Sequence, residues 1–179
     1  MLQTDIAESE ADQIIKNLKL QPHPEGGFYA LTFQSSDTVQ STDKGKYNDE
    51  TRYAGSATYY LLKENDFSAW HSLKSDEMWH YYKGSPVKIH VIDCQGNHTT
   101  HLLGDALKNK MANFQVVVTA GNWFAAELED KEHYCLIGCT VTPGFNFKDF
   151  SLADRQFLLE KFPQHSPLIN KFIRTTNTL

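Results

Sequence analysis

The pattern of apolar and polar residues changes character along this chain. Near the start, Ala11, Ile14, Ile15 and Leu18 recur at i, i+3, i+4 and i+7, the spacing that lines one face of an α-helix, with Ser9 or Thr4 placed to cap it. In PHPEGGFYALTF (residues 22–33) two prolines and the Gly26-Gly27 pair break that pattern. The chain then resumes as a strand with β-favouring Phe28, Tyr29, Thr32 and Phe33. Residues 34–51 are rich in Ser, Thr, Asp, Asn, Gly and Lys and almost free of apolar side chains, which predicts a mobile loop.

From Tyr53 to Val141 the apolar runs are short: SATYYLL, FSAWHSL, EMWHYYK, VKIHVID, HTTHLLG, FQVVVTA, NWFAAEL and HYCLIGCTV. Turn material such as KEND, GSP and CQGN separates them, and no helical stretch intervenes. Such spacing predicts an antiparallel sandwich or barrel. After TPGFNFKDF the helical period returns, with Ser151 or Asp149 as cap, Leu152, Leu158, Leu159 and Phe162 as apolar contacts, and Pro163 as stop. The expected architecture is mainly β and a single domain over 1–179. It comprises a helix at about 8–19, a barrel at about 26–150 and a C-terminal helical segment at about 151–174.

Composition removes several functional classes. The 179 residues carry a formal net charge of −5 without clustered Lys and Arg, which argues against a nucleic-acid partner. No apolar run approaches the roughly 20 residues of a membrane span. The opening MLQTDIAESEADQ is acidic and polar, the opposite of a secretory signal, so a soluble cytoplasmic protein is expected. Cys135 and Cys139 share a strand face with Cα atoms about 13 Å apart, too far for a disulfide. Cys94 stands alone beside a turn, and the absence of a CxxC pair leaves a structural zinc without ligands.

Candidate chemistry concentrates in SAWHSLKSDEMWHYYKG (residues 68–84), which gathers His71, Asp76, Glu77 and His80 among four large aromatics. Glu77 and His80 point to opposite faces of a strand, which leaves His71 and Glu77 as the local pair. Neutral His71 is suited to remove a proton α to a carbonyl, with Glu77 or Asp76 holding its tautomer. A tyrosine, Tyr29 or Tyr60, is a candidate to return the proton from the other face. If Glu77 points inward, strand parity sends Trp79 and Tyr81 inward with it, as flat walls for a sugar or base. Glu25 and Arg52 are candidates for fixing the polar ends of such a ligand. Ordinary core aromatics and a structural histidine remain open as alternatives to these assignments.

The stretch also resembles the first motif of the cupin barrels, G-x5-H-x-H-x3-E-x6-G, through His71, Glu77 and Gly84, although Asn65 and Leu73 replace the leading Gly and second His. The second motif is represented by TAGNWF (119–124), with Phe124 where the remaining His ligand of other cupins stands. PHPEGGFY, SATYYLL, WHSLKSDEMWHYYKG, AGNWFAAEL and CTVTPGFNFKDF, in that order, resemble the fifth cupin domain family over roughly residues 10–165. The resemblance implies a cupin double-stranded β-helix (jelly-roll barrel), commonly a homodimer, structurally similar to metal-free deoxysugar epimerases.

The resulting expectation is a small-molecule-binding cupin without a cofactor. It would act as a metal-independent epimerase or isomerase on a sugar or nucleotide-sugar derivative, with His71, Glu77 and Tyr60 catalytic. Glu25, Tyr29, Arg52, Asp76, Trp79, Tyr81, Phe124 and Glu127 are the expected ligand-binding residues. Two alternatives stand beside it: a metal-dependent cupin enzyme with a reduced ligand set (His71, Glu77, with Glu127 as a third candidate), and a non-enzymatic ligand-binding or sensor cupin.

Overall fold

The computed structural model describes residues 8–174. Helix α1 (Glu10–Asn17) is capped by Ser9, whose side chain accepts a hydrogen bond from the Asp12 amide; the other expected cap, Thr4, lies outside the described residues. The strands are β1 (Gln21–Pro22), β2 (Phe28–Gln34), β3 (Thr38–Val39), β4 (Arg52–Tyr53), β5 (Ser56–Lys63), β6 (Phe67–Leu73) and β7 (Asp76–Gly84). They continue as β8 (Val87–Ile92), β9 (His98–Leu103), β10 (Gln115–Val118), β11 (Trp123–Leu128), β12 (Tyr134–Thr142) and β13 (Phe150–Leu152). Helices α2 (Arg155–Lys161) and α3 (Ser166–Lys171) follow.

Two antiparallel sheets face each other, ordered β1-β2-β5-β12-β7-β10 and β13-β6-β11-β8-β9, with β3-β4 as a separate ribbon. Sequence neighbours β5, β6 and β7 alternate between the sheets, so the chain winds as a jelly roll. Strand parity explains the layers. Phe124 and Ala126 of β11 face the core between the sheets with Leu62, Trp79, Ile89 and Ile137, while Ala125 faces outward. That outer face is covered by the C-terminal helices through Leu158, Phe162, Ile169 and Phe172, which pack with Trp70 and Ile92. The eight strands expected between Ser56 and Val141 are all present.

Parity fails at one consequential place. In the β11–β6 pairing, Phe124 opposes His71 but Ala126 opposes Ser68, so β6 carries an extra residue there. This bulge sends Trp70 outward to the helices and brings Ser68 and His71, three residues apart, to the barrel interior.

Two expectations need correction. Residues 150–152 form a strand rather than a helix start, with Phe150 pairing Leu73 and Leu152 pairing His71. The cap of α2 is therefore Asp154, which accepts from the Phe157 amide at 2.8 Å, and not Ser151 or Asp149. The polar 34–51 segment contains β3 and buries Tyr47, whose hydroxyl lies 3.0 Å from the Ser75 hydroxyl. That aromatic ties the segment to the turn before β7.

Candidate functional site

A cavity of about 480 Å³ opens between the first sheet and β6, closed on one side by the segment 145–150. The turn between β1 and β2 carries His23 and Glu25 into it, which requires Gly26 and Gly27 at positive φ (115° and 67°). A side chain at Gly26 would collide with the Phe67 carbonyl and the Arg174 guanidinium. The turn is secured by the Gly27 amide donating to Asp66 at 2.7 Å and the Tyr60 hydroxyl donating to the Gly26 carbonyl at 2.9 Å.

Glu25 is the centre of a buried polar group. Its Oε1 accepts from Ser68 at 3.0 Å, while Oε2 lies 3.3 Å from His71 Nε2 and 3.4 Å from His23 Nδ1. His71 Nδ1 stands 2.7 Å from the Ala69 carbonyl, which accepts only from a protonated nitrogen, so neutral His71 turns the lone pair of Nε2 toward Glu25. His23 Nδ1 accepts from the Glu25 amide at 3.4 Å and thus also presents a lone pair. An ionised Oε2 facing two lone pairs is repulsive. The arrangement is satisfied by one proton held between Glu25 Oε2 and the imidazoles. Burial pushes the Glu25 carboxyl above its ordinary range, and pushes both His23 and His71 below theirs, which favours a carboxylic acid beside neutral imidazoles. The tautomer of His71 is therefore set by the bulge carbonyl of Ala69, and neither Glu77 nor Asp76 holds it.

Glu77 stands on another wall of the same cavity. Trp79 Nε1 donates to its Oε2 at 3.0 Å, and the Cys139 thiol lies alongside. Burial raises its pKa to about 7, against the opposing hydrogen bond from Trp79. A carboxyl with that value exchanges its proton near neutral pH, which an ordinary glutamate does not do. Burial pushes the Tyr60 hydroxyl well above its usual range, and it is committed to the Gly26 carbonyl.

Tyr29, an expected ligand contact, and Tyr60, expected to be catalytic, both reach the cavity. Other expected ligand contacts sit elsewhere, for identifiable reasons. Arg52 is buried against Asp149, with Nε–Oδ2 at 2.5 Å and Nη2–Oδ1 at 3.0 Å, so its charge is already used. Asp76 is exposed and accepts from the Ala120 amide at 2.8 Å. Tyr81 shares the face expected from parity but lies beyond the cavity, its hydroxyl donating to the Gly84 carbonyl at 2.7 Å. Trp79 and Phe124 are packed beneath the site; Trp79 acts through Glu77, and the Phe124 ring lies 3.9 Å from that of His71. Glu127 is on the opposite face of β11, where burial would raise its pKa but ion pairs with Lys131 and Lys171 hold it at about 2.

Three aromatics that sequence reasoning left unassigned form much of the wall: Phe145, Phe147 and Phe150. Their signal was the aromatic density of PGFNFKDF. His23 joins them, stacking with Phe147 at 6.1 Å and meeting Tyr29 edge-on at 4.7 Å.

The side chains do not fit a metal centre. Leu73 lines the cavity and Phe124 underlies it where other cupins place ligands, and His71 spends its second nitrogen on Glu25. Among the described residues no group of three or more His, Cys, Asp or Glu side chains is arranged to hold an ion.

Fold and site together define a cupin. Residues 12–153 match the family model described as Cupin superfamily (DUF985), and the chain belongs to that family. A Shewanella oneidensis protein of solved structure is 34% identical, with a TM-score of 0.80 over 93% of this chain and 98% of that one. A hypothetical protein from Leishmania major is 28% identical, with a TM-score of 0.83 over 93% of this chain and all (100%) of its own. An oxalate decarboxylase from Lactobacillus farciminis, 10% identical with a TM-score of 0.53, covers 89% of this chain and 43% of its own, and shares the fold alone. No curated protein matches the chain. No described helix is long and apolar enough to cross a membrane.

Proposed function

We propose that the barrel binds a small organic molecule and shifts a proton on it, a metal-independent isomerase or epimerase reaction in which Glu77, rather than His71, exchanges the proton with the ligand. The observation that carries this reading is the Glu77 carboxyl. It is buried on the cavity wall, steadied by Trp79 through one oxygen, and otherwise open to a ligand. A base removing a proton α to a carbonyl needs a pKa near the working pH, and burial supplies it. The proton held between Glu25 and His71 is the second exchangeable proton of the site, able to protonate the ligand as Glu77 deprotonates it. Ser56, Thr58, Gln21, Gln34 and Asn146 supply the polar contacts that a sugar-sized ligand requires.

The test is deuterium uptake. A small-molecule extract incubated with the protein in D2O is expected to contain a component gaining one mass unit, with exchange lost in Glu77→Gln. Exchange surviving in Glu77→Gln but lost in His71→Gln would return the base role to His71. A component that co-purifies yet takes up no deuterium would favour the non-enzymatic reading, which the backbone-bound His71 Nδ1 and Tyr60 hydroxyl support.

A homodimer is part of the same proposal. Exposed Leu31 and Phe33 on β2 and Val117 on the edge strand β10 support it, and sedimentation velocity tests it.

A further inference from the structure

The cavity wall has a marked charge asymmetry. It contains two buried carboxyls, Glu25 and Glu77, and no Lys or Arg among the described residues that line it. Three cations close to the wall are already matched: Arg52 by Asp149 and Glu50, Arg174 by Asp66, and Lys148 by Glu50. Aromatic rings share the wall, with Phe145 and Phe147 edge-on at 4.9 Å and Tyr29 and Phe150 beside His23.

The Glu77 carboxylate attracts a cation, and aromatic rings attract one further through their quadrupoles, whereas a phosphate or carboxylate on the ligand would meet that negative charge and no cation to offset it. We propose that the cavity selects ligands by charge, rejecting anions and preferring a small molecule that carries a protonated amine beside an apolar body. This rests on the reading of the cavity as a ligand site, and it argues against the nucleotide half of a nucleotide-sugar substrate.

The pH dependence follows from the groups around Glu77. They are His71 on β6, Glu25 and His23 on the β1–β2 turn, Cys139 on β12 and Trp79 on its own strand. With Glu77 titrating near 7, its carboxylate fraction rises about tenfold between about pH 6 and about pH 8. Binding of a cation rises with it and expels the proton.

Three probes of one shape and different charge separate the possibilities: benzylamine (protonated throughout this range), benzyl alcohol and benzoate, measured by ligand-observed NMR and calorimetry at millimolar concentration. Benzylamine is expected to bind several-fold more tightly than benzyl alcohol, and benzoate not measurably. Benzylamine affinity should rise by up to about tenfold from about pH 6 to about pH 8. Glu77→Gln, which keeps an acceptor for Trp79, should abolish both the pH dependence and the preference for the amine. Benzyl alcohol or benzoate binding as tightly as benzylamine, or an amine affinity indifferent to pH in the wild type, would overturn the charge selection and leave the ligand site standing. Binding of none of the three would overturn both.

Discussion

The segment that closes the cavity is held by one buried ion pair, and removing half of it should be costly. Arg52 and Asp149 expose 4% and 6% of their surfaces, and two of the guanidinium nitrogens meet the two carboxylate oxygens at 2.5 and 3.0 Å. Asp149→Ala leaves the guanidinium buried without that partner, a change that typically costs about 3–5 kcal/mol. The Arg52 Nη1 contacts with the Thr51 carbonyl at 2.9 Å and Glu50 at 3.2 Å survive, as does the Tyr47 ring 5.0 Å away. These place the expected loss near the lower end, about 3 kcal/mol, a large part of the 5–15 kcal/mol that holds a typical domain together. Urea unfolding at neutral pH should show it as a lower midpoint with an unchanged slope. Removing both charges, as Arg52→Met with Asp149→Leu, should recover stability to within about 1 kcal/mol of wild type, because no buried charge is then orphaned. That double variant should also retain probe binding. A loss below about 1 kcal/mol in Asp149→Ala, or a double variant as unstable as the single, would refute the argument. A double variant that folds but no longer binds would show Arg52 to be a ligand contact after all.

Because the folded pKa of Glu77 is raised from 4.5 to about 7, its contribution to stability is fully present below about pH 4.5 and is lost as pH rises through 7. Glu77→Gln should therefore flatten that decline and stabilise the protein at about pH 8 by up to about 3 kcal/mol, measurable by denaturation across pH; a steeper decline would contradict the burial of an acid. Tyr60→Phe removes the hydrogen bond to Gly26 and should cost about 1 kcal/mol while leaving deuterium exchange intact; abolished exchange would make Tyr60 a proton donor. Glu127→Gln should leave probe affinity unchanged and weaken the protein above about pH 4.5, where the native carboxylate pairs with Lys131 and Lys171; a lost affinity would move Glu127 into the site.

The chain's own periodicity is sufficient for much of this protein. Short β-favouring runs from Ser56 to Val141, cut by turn residues, specify strands, and the i, i+3, i+4 spacing near Ile14 and Leu158 specifies helices that bury one face. The register of His71, Glu77 and Gly84, with Leu73 within it and Phe124 in the second motif, marks an interior polar pair with hydrocarbon where ligands would stand. Tertiary structure decided the rest. Parity places Tyr81 and Trp79 on the Glu77 face but says nothing of depth, and only the stacking of strands shows that the cavity ends before Tyr81. Parity also cannot anticipate the bulge that rotates Ser68 and His71 onto Glu25, since an inserted residue is a property of two paired strands. Nor does a residue's type disclose its partner. Arg52 and Asp149 lie 97 positions apart, and Glu25 and His71 meet only when a glycine turn is folded over a distant strand. A lone charge in a sequence is a candidate for a ligand; in the folded chain another side chain had already claimed Arg52 and Glu127, and left Glu77 open.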